Sequence, residues 1–149
     1  MGFFDGASQC GQCGGGMVLQ INNTHNFHSW MGCGHGTNTK YELLALWGLL
    51  FFVANNNFLS LQVFGDSKFI TDWAANKSYL NVSLLDHSCT RVKDLQYSFI
   101  SLTCKHIYRI FNTIVDRLSK KVVGCDEGLL FYEEYSNFFV QSTGNIKVY

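Results

Sequence analysis

Apolar positions along the chain fall into blocks of contrasting periodicity, and the polar and glycine-rich stretches between them mark the boundaries of elements. Gly2, Phe3 and Phe4 run apolar into Asp5 and on into Gly6-Ala7-Ser8, which predicts a strand over Met1 to Ser8, buried at the centre of a sheet and ending in a carboxylate. Cys10 to Gly16 reads as a loop, with Met17 to Ile21 a second strand folding back on the first and Phe27 to Cys33 a third. Lys40 to Ala54 is apolar on nearly every side and too long for a strand, so it predicts a buried helix ended by Asn55-Asn56-Asn57.

Leu59 to Phe64 is apolar like a strand covered on both faces, and Gly65-Asp66-Ser67 then turns into a helix of about ten residues with Phe69, Ile70, Trp73 and Ala74 on one side. After a connection over Tyr79 to Ser83, the spacing of Leu84, Leu85, Val92, Leu95 and Phe99 predicts another helix. Ile100 to Tyr108 reads as a fifth strand and Asn112 to Lys121 as a polar-faced helix. This order specifies an α/β sheet with an antiparallel meander at one side. Residues 122–149, rich in aromatics and carrying Glu133 and Glu134, fit neither period and are left as a tail outside a domain of residues 1–121.

Composition narrows the class. A chain of 149 residues that is 47% hydrophobic makes one ordinary domain, which buries about 70% of its unfolded surface. Acidic and basic residues balance at 11 each, so a nucleic-acid surface has to come from local clusters and not from net charge. No basic segment followed by an apolar one opens the chain, so its six cysteines are expected as reduced thiols. The protein is expected inside the cell, in nucleus or cytoplasm, which makes the Asn-x-Ser/Thr tripeptides at Asn22, Asn76 and Asn81 chance matches. The longest apolar run, Leu43 to Ala54, falls short of the ~20 residues that span a bilayer, so no membrane partner is expected.

Four acids stand where their elements can converge: Asp5 on the first strand, Glu42 at the start of the buried helix, Asp66 after the fourth strand and Asp116 on the last helix. Four carboxylates gathered this way bind metal. Each also has a structural reading. Thr39 and Glu42 have capping-box spacing, Asp66 before Ser67 suits a helix N-cap, and Asp116 with Lys120 at i, i+4 is an ordinary surface ion pair. Asp5 has no evident capping partner, although it suits a turn.

The chain resembles a type 1 ribonuclease H domain of the reverse-transcriptase-associated kind common in plant genomes. The likeness rests on Phe4-Asp5-Gly6-Ala7-Ser8, on Thr37-Asn38-Thr39-Lys40-Tyr41-Glu42-Leu43-Leu44-Ala45-Leu46, on Gly65-Asp66-Ser67, and on His106 with Arg109, Asn112, Asp116 and Leu118. It implies a five-stranded mixed sheet in order 3-2-1-4-5 flanked by helices, with the first strand central. It implies also an endonuclease that cuts the RNA strand of RNA–DNA hybrids. In that family Asp5, Glu42, Asp66 and Asp116 would hold two Mg²⁺ or Mn²⁺ ions, since hard oxygen ligands select these cations and an ion pair about 4 Å apart serves phosphodiester hydrolysis.

By the same likeness His106 would shuttle protons or help product leave, and Gly6, Ser8, Asn38 and Lys68 would contact the nucleic acid. Cys10-Gly11-Gln12-Cys13 replaces the Asn-Pro that many relatives carry after the first acid. Cys10 and Cys13 with Cys33 and His35 suggest a zinc site, but their spacing is irregular and free thiols are expected. The first strand begins four residues before Asp5, which leads to the expectation of a loosely held acid. It also raises an alternative: a retroelement-derived, catalytically weak or inactive nucleic-acid-binding module that kept the fold.

Overall fold

The elements, in a computed structural model that describes residues 1–9, 11–80, 86–122 and 125–149, follow one another as β1 (Gly2–Gln9), β2 (Gln12–Gln20), β3 (His25–Gly32), α1 (Asn38–Asn55), β4 (Ser60–Gly65), α2 (Lys68–Ala74), α3 (Asp86–Gln96), β5 (Ser101–His106), α4 (Thr113–Ser119), β6 (Leu129–Ser136) and β7 (Phe139–Lys147). One turn of 3-10 helix among the described residues, Arg109–Phe111, precedes α4. The strands form one sheet in order β5-β4-β1-β2-β3-β6-β7. The expected order 3-2-1-4-5 is contained in it. Pairing is parallel between β1, β4 and β5 and antiparallel everywhere else, so the fold is mixed α/β.

β1 is held on both sides. It pairs with β2 along its whole length, from Gly2↔Leu19 to Gln9↔Gln12, and with β4 from Gly2↔Val63 to Phe4↔Gly65. The Met1 amine also donates to the Gln20 carbonyl at 2.9 Å, and Gln20 N–H returns a bond to Met1 at 2.7 Å. The looseness expected of the first strand is therefore not found. Nor does β1 end at Asp5: it runs four residues further, and what ends there is its pairing with β4.

α1 is apolar all round because it is covered all round. Leu43, Leu46, Leu49, Leu50 and Val53 have no exposed surface, and Phe4, Met17, Met31 and Leu130 meet this core from the strands. On the outer side the α3 guanidinium of Arg91 lies 4.3 Å from the Trp47 ring centroid, and Tyr149 stacks on the same ring. Asn57 takes φ 64° just past the end of α1, the left-handed conformation asparagine tolerates better than most residues.

Within residues 1–121, sequence and structure part company at three further elements. Gln12 to Gly16, expected as loop, belongs to β2. A Cβ on Gly15 would press on the α1 backbone at Ala45, and on Gly14 or Gly16 it would strike the α4 backbone near Ser119 and Val115. These glycines let helices lie directly on the strand and do not serve a turn. The other two differences concern element ends. The helix expected from Leu84 to Phe99 is seen as α3, with Leu84, Leu85 and the connection over residues 81–83 outside the described residues, and α2 stops after seven residues with Phe69 exposed.

Residues 129–147, left unread in the sequence, form the hairpin β6–β7, and β6 pairs with β3 from His25↔Ser136 to Met31↔Leu130. They continue the sheet and share its core. No helix among the described residues is long and apolar enough to cross a membrane. Leu130, fully buried, measures the hairpin's contribution. Leu130→Ala should cost about 2–5 kcal/mol in urea denaturation, whereas a detachable tail would lose under ~0.5 kcal/mol.

Candidate metal centre

The parting of β1 from β4 makes the site. The last parallel pair is Phe4↔Gly65, so the next residues, Asp5 within β1 and Asp66 just past β4, stand side by side where that pairing ends. Glu42 arrives from the start of α1, which rests on β1 at Gly6, where any Cβ would collide with the Tyr41–Glu42 peptide. One carboxylate oxygen from each of Asp5, Glu42 and Asp66 lies within 4.8 Å of the other two. Neither Glu42 nor Asp66 is spent on a cap. Thr37 caps α1 by accepting from Lys40 N–H at 3.2 Å, and Ser67 caps α2 by accepting from Ile70 N–H at 3.4 Å. Each cap sits at a different residue from the one the spacing suggested.

Asp116 lies at the rim. Its carboxylate accepts from Lys120 at 3.1 Å, as the i, i+4 spacing predicted, and it faces the same cleft of about 450 Å³ as the three closer acids. Gly6, Ser8 and Asn38 also line this cleft. Lys68 does not: its ammonium is 2.8 Å from Asp72 on the outside of α2. His106 does not line it either. It ends β5 level with Gly65, its ring edge-on to Tyr108 at 5.8 Å.

Arg109 lines the cleft and had been assigned no role. It springs from the 3-10 turn, and Asn112 just after that turn donates its side-chain amide to the Phe4 carbonyl at 3.0 Å. The signal available in the sequence was its place in the turn leading into the helix of the last acid. A larger cavity, about 560 Å³ between α2, α3 and β5, holds Lys77, Lys93 and Lys105 but no acid, so size is a poor guide to the chemistry here.

Crowded acids resist ionising. Burial, with the Asp66 and Asp116 charges nearby, pushes Asp5 up to about 6. Burial and the charge of Asp5 push Glu42 up to about 10. Glu42 Oε2 and Asp66 Oδ2 are buried with no hydrogen-bond partner. The Arg109 Nε is 3.7 Å from Asp66 Oδ2, within ion-pair range and too long for a hydrogen bond. Converging, partnerless, hard oxygen donors fit Mg²⁺ or Mn²⁺. Among the described residues the three acids are the one group with metal-ligand geometry, Cys33 is spent on the Met31 carbonyl, and Cys10 lies outside the described residues.

Residues 3–122 match the family model described as reverse transcriptase-like. No curated protein matches the chain. Among solved structures, the ribonuclease H1 of the halophilic archaeon Halobacterium salinarum is 24% identical, with a TM-score of 0.75 over 83% of this chain and 96% of that one. The N-terminal RNase H domain of a Mycobacterium tuberculosis protein is 20% identical, with a TM-score of 0.71 over 83% and 93%. LC11 ribonuclease H1, isolated from compost by a metagenomic approach and solved in complex with an RNA/DNA hybrid, is 19% identical, with a TM-score of 0.65 over 80% and 93%. At these identities the likeness establishes a fold.

The raised acids fix how stability depends on pH. With both folded-state values above the ordinary ones, the folded chain holds protons that the unfolded chain has released. These acids' contribution to metal-free stability should therefore be full below about pH 4 and be lost as pH rises through about 6 and on toward 10. A divalent cation takes the ionised acids and should reverse the loss. Thermal unfolding followed by circular dichroism should show Mg²⁺ raising Tm by roughly 5 °C at pH 8 and by little at pH 5. An equal shift at both values, or none at pH 8, would rule out cation binding to these acids.

Proposed function

The chain belongs to the reverse transcriptase-like family and has a ribonuclease H-like fold, and from that premise we propose that it is a metal-dependent endonuclease hydrolysing the RNA strand of RNA–DNA hybrids. The observation that carries this reading is the convergence of Asp5, Glu42 and Asp66 at an open cleft, with two of their oxygens buried and unpartnered. That a similar structure was solved with an RNA/DNA hybrid supports the substrate class. The alternative of a binding module with weak turnover rests on the balanced charge, the altered loop after the first acid and the short first strand, and of these the strand is held on both sides as far as Phe4.

Asp5, Glu42 and Asp66 would hold one divalent ion, and Asp116 at the rim would join in holding a second. Bound there, Mg²⁺ or Mn²⁺ would activate the attacking water and neutralise charge on the departing 3′ oxygen. The protein's own part is to position and desolvate. Asp5 and Glu42, whose burial disfavours their charged forms, would be held ionised by a bound cation, and that same burial limits solvent around the ligand oxygens. Gly6, Ser8 and Asn38 stand at the cleft's lip, where a backbone amide, a hydroxyl and a side-chain amide can read 2′-hydroxyls across a shallow minor groove. Lys68, on the outer face of α2, is left to meet phosphate beyond the cleft, and His106 at the end of β5 to meet the departing product.

Asp66→Asn tests the reading directly. Ser67 caps α2, so the substitution leaves the cap in place and the fold should persist. Cleavage of a labelled RNA–DNA hybrid in Mg²⁺ should fall at least about a hundredfold, and so should cleavage by Asp5→Asn. Wild-type rates in either variant would sink the assignment.

A further inference from the structure

Arg109 is the one basic side chain among the described residues lining the acid cleft. Its Nε faces a buried oxygen of Asp66 that lacks a hydrogen-bond partner, while the side chain as a whole is 85% exposed. Its base is anchored. Asn112 N–H donates to the Arg109 carbonyl at 2.9 Å, and the buried Asn112 side chain ties the turn to Phe4, the residue before Asp5. The backbone is clamped to the strand of the first acid, and only the solvent-facing side chain is free to move. Lys120 is engaged by Asp116, and among the described residues no other lysine or arginine lines the cleft.

We propose that Arg109 is a tethered counter-ion that competes with divalent cations for the acid cluster, resting on Asp66 when the acids are free and giving way as they are loaded. This rests on the metal-centre reading above. A guanidinium is always charged, so Arg109 presents its positive charge to the cluster at every working pH. The Arg109 side chain is 85% exposed although Asp66 is buried, and at 3.7 Å the two make no hydrogen bond, so the contact is weak on the arginine's side and open to screening by salt, and the arginine can be displaced without blocking the site. Its effect is to set the concentration at which cations load: the acids carry a built-in cation at low metal and exchange it at higher metal.

The test is Mn²⁺ binding to the full chain without nucleic acid, measured by calorimetry and by the loss of the free Mn²⁺ electron-spin-resonance signal. Arg109→Gln removes the charge from an exposed side chain and should bind Mn²⁺ roughly three- to tenfold more tightly than wild type at low salt. The difference should shrink at about 0.5 M salt, while Arg109→Lys, which keeps the charge, should stay near wild type. Unchanged or weaker Mn²⁺ binding by Arg109→Gln, with wild type binding normally, would overturn the counter-ion role and leave the metal centre standing. No Mn²⁺ binding by either protein would overturn both.

Discussion

The acid cluster depends on a backbone contact that only glycine permits. At Gly6 the first turn of α1 lies directly on β1, and a single added carbon would push the Tyr41–Glu42 peptide away. Gly14, Gly15 and Gly16 repeat the arrangement on β2, with α1 on one side and α4 on the other. Glycine in a strand costs roughly 0.5–1 kcal/mol of stability relative to alanine, so a run of them needs a structural return. The return is proximity. Helices seated this closely bring Glu42 to the cluster and Asp116 to its rim, toward a strand that carries Asp5.

Such an arrangement works against itself unless something rigid opposes it. Three carboxylates within 4.8 Å repel one another, and burial adds to the strain by disfavouring charge on Asp5 and Glu42. What holds them is the core below: Phe4, one residue from Asp5, and Leu43, one residue from Glu42, are both fully buried. Each acid is thus the neighbour of an anchor. The free energy that makes the site reactive toward cations is stored by hydrophobic packing on the other side of the same backbone.

Much of this was legible in the sequence, because β1, α1 and β4 are apolar enough that burial and length identify them. The three converging acids were legible for the same reason: each is next to one of these blocks. β2 was lost in part because glycine signals a turn far more often than close packing, and nothing local in Cys13-Gly14-Gly15-Gly16 says which is meant. The β6–β7 hairpin was lost because Phe131, Tyr132 and Tyr135 put aromatics on both faces of β6 and erase the period of two, while β7 shifts register opposite Glu134 and Tyr135. The caps were misplaced by one or two residues because Thr37, Thr39, Asp66 and Ser67 offer rival oxygens at adjacent positions. Arg109 escaped because an exposed arginine in a turn looks like solvent-facing charge until its one buried neighbour is seen.

One further consequence follows from the amide of Asn112. Odd-numbered residues of β1 exchange bonds with β2, as Met1 does with Gln20, so the Phe4 carbonyl points the other way, toward β4. β4 has already turned off at Gly65, and Asn112 supplies the missing donor. The sheet therefore splits along a seam that a side chain has stitched shut at its last rung. Where the strands leading to Asp5 and Asp66 part, β1 is thus held just below the acids by a bond to which neither acid belongs.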